Sequence, residues 1–167
     1  MTKRQTEEAK EFVDGPIDGV IFKPLETRVD GRGWLVELYR MDELAEEHRP
    51  VMAYVSQTLP GIARGPHEHV NQTDYFAFMG PGDFTVFLWD ARHGSPTLGH
   101  RTRVVLGESN KQGVIVPPGV VHAYRNDGET PAWVFNAANL LYAGKGRHGP
   151  VDEIRHEDRE DGPYRMD

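Results

Sequence analysis

The sequence predicts an all-β jelly roll with short helices only at its periphery. Short runs of β-branched and aromatic residues follow one another along most of the chain, and glycine, proline, asparagine or aspartate bounds most of them. Many short strands at such spacing are typical of a closed or double-sheet β fold. With 167 residues, 38% of them hydrophobic, the chain can bury one core of ordinary size without disulfides. We therefore expect a single domain over residues 1–167, with a barrel core at about 19–142 and a polar tail at 143–167.

The strand-like runs are numerous and the helix signals are few. A charged, helix-compatible stretch at 6–12 is ended by the turn signal at 14–16, Asp-Gly-Pro. Residues 41–48 are the one internal helix prediction, with Asp42 as the N-cap. The predicted strands, in chain order, lie at 20–22, 34–39, 51–56, 75–79, 84–89, 103–106, 113–116, 121–125 and 133–136.

Several predicted strands carry apolar residues on both faces, which indicates that part of the outside of the barrel is covered. The clearest case is Phe-Thr-Val-Phe-Leu-Trp at 84–89. A barrel strand whose outer face met water would alternate apolar and polar residues. A homodimer that packs sheets together or exchanges strands is the cover we expect.

Composition excludes several classes of function. The net charge of −7 argues against a nucleic-acid partner, because binding to phosphates requires a basic face. There is no run of about 18 apolar residues, so we expect no membrane contact and a soluble, cytoplasmic protein. Because cysteine is absent, thiolate catalysis and cysteine-bound zinc are excluded, and histidine and carboxylates are the strong metal ligands that remain.

Three histidines and one aspartate are candidates for a shared reaction pocket. His67 and His69 are separated by one residue, so on a strand both rings would lie on one face. His122 follows the turn at 117–119, and a barrel would bring its face toward the pair. Asp74 adds a carboxylate shortly after His69. These residue types can transfer protons or hold a metal ion, and both options stay open here.

The two stretches that carry these residues resemble the two motifs of the cupin barrel. Residues 65–74 have the form G-x-H-x-H-x(4)-acid, and residues 117–126 have the form P-x-G-x-x-H-x-x-x-N. The resemblance implies that the imidazoles and the carboxylate converge inside one barrel. It also implies an alternative function, a metal-dependent dioxygenase or isomerase on a small organic substrate. In that alternative His67, His69, Asp74 and His122 would hold Fe, Mn, Ni or Zn.

Most of the chain, from about 19 to 142, resembles the dTDP-4-keto-6-deoxyglucose 3,5-epimerases, the cupins of rhamnose synthesis. Four segments are similar to motifs of that family in the same order, which is more specific than any one match. They are Asp-Gly-Arg-Gly-Trp at 30–34, Arg-Gly-Pro-His at 64–67, Asp-Ala-Arg at 90–92 with Ser-Pro-Thr-Leu-Gly at 95–99, and Val-Pro-Pro-Gly-Val-Val-His at 116–122.

This resemblance implies roles for individual residues. His67 would be the base that removes a proton beside the sugar ketone. Arg32 and Arg64 would bind the diphosphate or the sugar, because arginine forks hold anions even on an acidic protein. His122 would line the pocket. A neutral imidazole, with an ordinary pKa of about 6.5, suits this step where a donor stabilises the enolate oxygen.

The chain also departs from the epimerase pattern. The tyrosine acid of the family would fall near Phe135, which has no proton to give. The aspartate that backs the catalytic histidine has no counterpart in the tail, so Asp74 or His69 would substitute for it. The pair of His67 and His69 is similar instead to the Arg-Gly-x-His-x-His of nucleotide-sugar 3,4-ketoisomerases. A single epimerisation or a keto shift is therefore more compatible with these residues than a double epimerisation.

Tyrosines and a glutamine complete the predicted site. Tyr142 is predicted to be catalytic, with Tyr124 and Tyr75 as further candidate acids, and Gln72 and Tyr124 are predicted to contact the substrate. The resemblance thus implies an isomerase that acts on a dTDP-linked 4-keto-6-deoxyhexose by proton abstraction next to the ketone. Such a reaction requires no cofactor. A third interpretation, besides the metal-dependent alternative, is a module that binds the sugar without turnover.

Overall fold

The structure, a computed structural model, describes residues 11–159 and 161–167 and confirms the predicted jelly roll. The strands are β1 (Val13–Asp14), β2 (Ile21–Pro24), β3 (Thr27–Asp30), β4 (Gly33–Val36), β5 (Met52–Thr58), β6 (Ala63–Glu68), β7 (Asp74–Phe78), β8 (Asp83–Asp90), β9 (His100–Gly107), β10 (Gln112–Val116), β11 (Val120–Arg125), β12 (Ala132–Ala138) and β13 (Ile154–Arg155). One sheet has six strands in the order β1-β9-β8-β11-β6-β13, a second has five in the order β2-β10-β7-β12-β5, and β3 and β4 form a separate hairpin.

The space between the two large sheets is filled by apolar side chains at one end and by polar ones at the other. Phe78 and Phe84 pack against Tyr124 with ring centroids 5.9 and 5.1 Å apart. Phe76 marks the boundary, because its ring contacts both Tyr124 and His122. Beyond it, where β7 begins and β6 and β12 end, the interior side chains are polar. The packed end therefore forms the floor of the site.

The outer faces of both sheets are covered by segments of the same chain. Phe87 and Trp89, the outward residues of β8, pack against Phe12, Tyr164 and Met166. On the five-stranded sheet, Tyr75 and Ala77 pack against the irregular segment at 36–44. The prediction that the outer face is covered is thus correct for β8, where segments of the same chain supply cover, and the predicted homodimer stays a prediction.

The helix predicted at 41–48 is wrong. Only Glu46–His48 forms a single 3₁₀ turn, because Ala45 before it is extended, with φ −56° and ψ 147°. Asp42, the predicted N-cap, instead accepts hydrogen bonds from the Arg40 side chain. A second 3₁₀ turn lies at Lys145–Arg147, and no helix in the described ranges is long and apolar enough to cross a membrane. The helix-compatible stretch at 6–12 falls almost entirely outside the described residues.

Candidate active site

An open cavity of about 390 Å³ lies at the polar end of the barrel, and we call it the histidine cavity. β5 and β12 supply one wall, β6 and the residues after it supply another, and the tail residues 151–157 border it. Its polar lining residues are Tyr54, Arg64, His67, His69, Gln72, Tyr142, Asp152, Glu153, Arg155 and Glu157. Five of the predicted site residues therefore share this cavity: Arg64, His67, His69, Gln72 and Tyr142.

The three predicted histidines meet at this end of the barrel. His67 on β6 lies opposite His122 on β11, and their ring centroids are 4.4 Å apart. His69, which follows the last residue of β6, has its ring centroid 5.6 Å from that of His67 and 5.7 Å from that of His122. His122 is only 2% exposed and lies behind His67. His67 and His69 are thus the two imidazoles that a ligand in the cavity can reach.

Gly65 permits this close approach of β6 to β11. Its φ is +82°, a conformation that favours glycine, and a Cβ at this position would lie 2.5 Å from the carbonyl oxygen of His122. The same Cβ would lie 3.1 Å from Nδ1 of His67. Glycine is therefore required at this position of the Arg-Gly-Pro-His segment, because any side chain there would push His67 away from His122.

His69 is held between two acceptors. Its Nδ1 donates to the backbone carbonyl of Asp152, and its Nε2 lies 3.0 Å from Oδ2 of Asp74. Burial by itself lowers the pKa of His69, but the hydrogen bond and the negative charge of Asp74 outweigh it, so the pKa is raised above its ordinary value. Gln72 donates to Oδ1 of Asp74 at 3.0 Å and fixes the carboxylate. This arrangement favours a positively charged His69.

His67 is in the opposite electrostatic situation. Burial lowers its pKa to about 2, and the neighbouring His122 and His69 add to the effect. Burial also lowers the pKa of His122, whose Nδ1 donates to the carbonyl of Val120 at 3.0 Å. At neutral pH, His67 is therefore a neutral imidazole at the cavity wall with a lone pair available to accept a proton.

The same histidines also fit the predicted metal ligands. His67, His69 and His122 each offer one imidazole nitrogen, and these atoms lie within 4.8 Å of one another. Nε2 of His122 lies 3.5 Å from Oδ2 of Asp74 and is buried without a hydrogen-bond partner among the described residues. Three nitrogen donors beside a carboxylate suit a divalent transition metal. Geometry alone is thus compatible with both proton transfer and metal binding.

Tyr54 and Asn136 are site residues that the sequence analysis missed. They are direct partners across β5 and β12, and Nδ2 of Asn136 donates to the Tyr54 hydroxyl at 3.0 Å. Burial of the hydroxyl, with the negative charge of Asp74, raises the pKa of Tyr54. Phe135, where the family's acid was predicted to fall, points to the outer face and packs beside Tyr75. Strand alternation at 133–136 could have indicated that Asn136 and not Phe135 faces inward.

Two predicted substrate contacts lie away from the histidine cavity. Arg32 is on the β3–β4 hairpin, its side chain is 91% exposed, and it forms an ion pair with Asp30. Tyr124 follows His122 by two residues on β11, so its side chain also points inward, but it lies in the apolar core and is only 5% exposed. Neither side chain lines the cavity of this chain. Arg64, by contrast, lies at the rim, where its Nε donates to Thr58 Oγ1 at 3.0 Å.

The part of the tail that borders the cavity, residues 152–156, is anchored by polar contacts. The Asp152 carboxylate accepts three backbone N–H groups, from residues 70, 71 and 72, at 2.7–3.0 Å. β13 pairs with the end of β6, placing Arg155 opposite His67. Next along the tail, Nε2 of His156 lies 2.9 Å from Oε1 of Glu68. The tail therefore holds the loop that carries His69 and closes one side of the cavity.

Sequence comparison relates the chain to a family of sugar-nucleotide enzymes. The profile of the family described as dTDP-4-dehydrorhamnose 3,5-epimerase matches residues 14–152. The chain is 36% identical over 127 residues to the probable low-salt glycan biosynthesis epimerase Agl13 of Haloferax volcanii, across 75% of this chain and 81% of that protein. It is also 36% identical over 126 residues to the spore coat polysaccharide biosynthesis protein SpsL of Bacillus subtilis, across 75% and 82% of the two chains.

A structural comparison agrees with the sequence relationship. The crystal structure of a dTDP sugar isomerase from Desulfovibrio desulfuricans G20 matches with a TM-score of 0.75 and 26% identity, covering 89% of this chain and 88% of that one. The resemblance predicted from four short motifs is thus confirmed over most of the barrel. The chain belongs to the dTDP-4-dehydrorhamnose 3,5-epimerase family of isomerases.

Proposed function

We propose that this protein epimerises one carbon next to the ketone of a dTDP-linked 4-keto-6-deoxyhexose, with His67 as the base. The observation that carries the proposal is the His67 imidazole at the cavity wall, whose pKa burial lowers, with the ring of His69 5.6 Å away and held by Asp74. A base must accept a proton while a nearby donor or cation stabilises the developing enolate. The two histidines divide these tasks between them.

The proposed proton transfer begins with the carbon-bound hydrogen beside the ketone. His67 takes this proton, and the electron pair of the C–H bond moves to the ketone oxygen to give an enolate. The negative charge of the enolate raises the pKa of His67 and so opposes the effect of burial, which lowers it. We assign His69, held by Asp74, to stabilise the enolate oxygen. The substrate is neither oxidised nor reduced, so the reaction needs no redox cofactor.

Arg64 and Gln72 are the proposed substrate contacts. The Arg64 guanidinium is fixed at the rim by two hydrogen bonds, one to Thr58 and one from its Nη2 to the carbonyl oxygen of Gln57 at 2.8 Å. Its remaining N–H donors can bind an anionic diphosphate. Gln72 lines the cavity beside Asp74 and can hydrogen-bond a sugar hydroxyl. The dTDP portion of the substrate is proposed from the family and from the name of the matched dTDP sugar isomerase.

A keto shift is less well supported than an epimerisation. A shuttle between neighbouring carbons would use His69 as a second free base. Both nitrogens of His69 are already engaged, one by the Asp152 carbonyl and one by Asp74. A cationic imidazole has no lone pair with which to accept a proton. We therefore prefer epimerisation, and the family relationship likewise favours it over the metal-dependent alternative.

We also infer a homodimer, supported by the β3–β4 hairpin. Val29, Trp34 and Leu35 are each at least 60% exposed on it. Clustered apolar side chains of this kind mark contact surfaces. Trp34→Glu should then give a monomer in light scattering, and an unchanged mass would remove this support. The substrate role of Arg32 and the cytoplasmic location stay predictions.

Deuterium exchange tests the proposed function. Chelator-treated protein is incubated in heavy water with dTDP-4-keto-6-deoxyglucose, and NMR and mass spectrometry follow label at the two carbons that flank the ketone. We expect label at one carbon, loss of labelling in His67→Gln, and normal labelling in the matched surface variant His148→Gln. Absence of label, together with stoichiometric Fe, Mn, Ni or Zn in untreated protein, would instead support the metal-dependent alternative.

A further inference from the structure

An epimerase that removes a proton from one face of a sugar must return a proton to the opposite face. His67 supplies one side of this exchange, so a second proton donor is required across the histidine cavity. Among the described residues, the phenol side chains that line the cavity are those of Tyr54 and Tyr142. The two tyrosines differ in how their hydroxyl groups are held.

Tyr54 lies on the opposite wall from His67. His67 belongs to β6 of the six-stranded sheet, whereas Tyr54 belongs to β5 of the five-stranded sheet. The cavity is between these walls, and both side chains line it. A flat sugar ring bound between the two sheets would therefore present one face to the imidazole and the other to the phenol.

The hydroxyl of Tyr54 is oriented by a buried amide. Asn136 is 2% exposed, and its Nδ2 donates to the Tyr54 oxygen at 3.0 Å. This bond occupies a lone pair of the oxygen and leaves the hydroxyl proton free. No acceptor for that proton is present in the described part of the chain. The proton is thus available to a ligand.

Tyr142 lacks this positioning. It lies in the loop after β12, it is 54% exposed, and only its backbone N–H makes a bond, to Met52. Tyr54 is itself 46% exposed, so the two tyrosines differ chiefly in the Asn136 bond, which fixes the direction of the Tyr54 hydroxyl and has no counterpart at Tyr142 among the described residues. Tyr142 is therefore the weaker candidate, although the sequence analysis preferred it.

From these contacts we propose that Tyr54 is the catalytic acid, delivering a proton to the sugar face opposite His67. The assignment rests on the proposed epimerase function. A new C–H bond forms as the Tyr54 O–H bond breaks, and the enolate returns its electron pair to the carbon. The phenolate regains a proton from water, and His67 releases the one it took, so the enzyme ends as it began.

Tyr54→Phe tests the assignment, Tyr142→Phe tests the rival tyrosine, and Tyr39→Phe, on the outer face of the five-stranded sheet, is the matched control. Each change removes one hydroxyl and keeps the ring, so we expect all three variants to fold, as circular dichroism and thermal unfolding would verify. In heavy water, Tyr54→Phe should still incorporate deuterium through His67 at about the wild-type rate, with retained configuration, while its formation of epimer falls at least about 100-fold. Tyr142→Phe should still form the epimer, and Tyr39→Phe should keep both rates within about threefold.

Other outcomes distinguish a wrong assignment of Tyr54 from a wrong proposal of epimerase function. Epimer formation by Tyr54→Phe at the wild-type rate, or its loss in Tyr142→Phe, would overturn the assignment while leaving the epimerase function in place. Loss of both exchange and epimerisation in folded Tyr54→Phe would also overturn it, because Tyr54 would then be needed before the enolate forms. Absence of exchange in the wild-type protein would count against the proposed function itself. As a second variant, Tyr54→Gln should behave like Tyr54→Phe.

Discussion

Asp74 lies 3.0 Å from Nε2 of His69, and this contact raises the pKa of His69, whereas burial lowers the pKa of His67 and that of His122. Asp74 is 1% exposed, and His69 and His122 hold its pKa below the ordinary value despite the opposing effect of burial. A buried carboxylate can stabilise only a limited amount of positive charge nearby. The raised pKa of His69 and the lowered pKa of His67 favour a proton on His69 rather than on His67, which is the distribution that proton abstraction requires.

Asp74→Asn should remove the charge that keeps His69 protonated. Because burial lowers the pKa of His69 and Asp74 raises it, we expect the pKa to fall below its wild-type value in this variant. NMR titration of labelled histidines would measure the shift, and deuterium exchange should slow by at least about tenfold because the enolate loses its cation. Glu153→Gln is the control, since Glu153 also lines the cavity. An unchanged His69 pKa in Asp74→Asn would contradict this account.

Stability should fall as the pH drops below about 6.5, and His67 should cause part of the fall. In the folded protein its pKa is lowered to about 2, so between these values the unfolded chain binds a proton that the folded chain does not. The free energy of unfolding then decreases with falling pH, at up to about 1.4 kcal/mol per pH unit for one such group. Urea unfolding at pH 7, 6 and 5 would show a shallower dependence in His67→Gln than in wild type. Parallel slopes would be inconsistent with a neutral buried His67.

Asp90→Asn should destabilise the protein without changing its chemistry. Asp90 is fully buried and accepts hydrogen bonds from Arg92 at 2.9 Å and from Ser95 and Thr97 at 2.6 Å. Loss of its charge leaves Arg92 without a counter-charge, which costs about 3 kcal/mol. Ser95→Ala, which removes a neutral donor, should cost about 1 kcal/mol. Urea unfolding measures both changes, and a reduced exchange rate in folded Asp90→Asn would show that this network also serves the site.

The sequence was sufficient to predict what depends on local pattern. The His67 and His122 motifs, the turn before β11 and most strands of the barrel follow from alternation and turn residues within a few positions. The Asp90 segment was recognised as a family motif, but the structure shows a buried hydrogen-bonded network rather than a wall of the cavity. A motif identifies a family more readily than it identifies the task of each residue.

The remaining features depend on contacts between distant segments. Tyr54 becomes a site residue only because β5 pairs with β12 in the register that places it beside Asn136. Asp152 lies in a tail with little apolar content, and its three backbone hydrogen bonds to the loop at 70–72 have no periodic signature. Strand register and irregular backbone are set by packing across the whole barrel, and no local stretch of sequence encodes them.

Removal of metal ions should leave catalysis intact, and their addition should inhibit it. The proposed reaction uses the lone pair of His67, and a metal held by His67, His69 and His122 would occupy that lone pair. Binding would also compete with the proton that Asp74 stabilises on His69. We therefore expect chelator-treated protein to keep its exchange rate within about twofold, and excess Zn²⁺ to inhibit exchange in a way that a chelator reverses. His122→Gln should weaken this inhibition, because it removes one ligand from behind the cavity wall. Loss of exchange on chelation, restored by one metal, would instead assign the three histidines to the metal-dependent alternative.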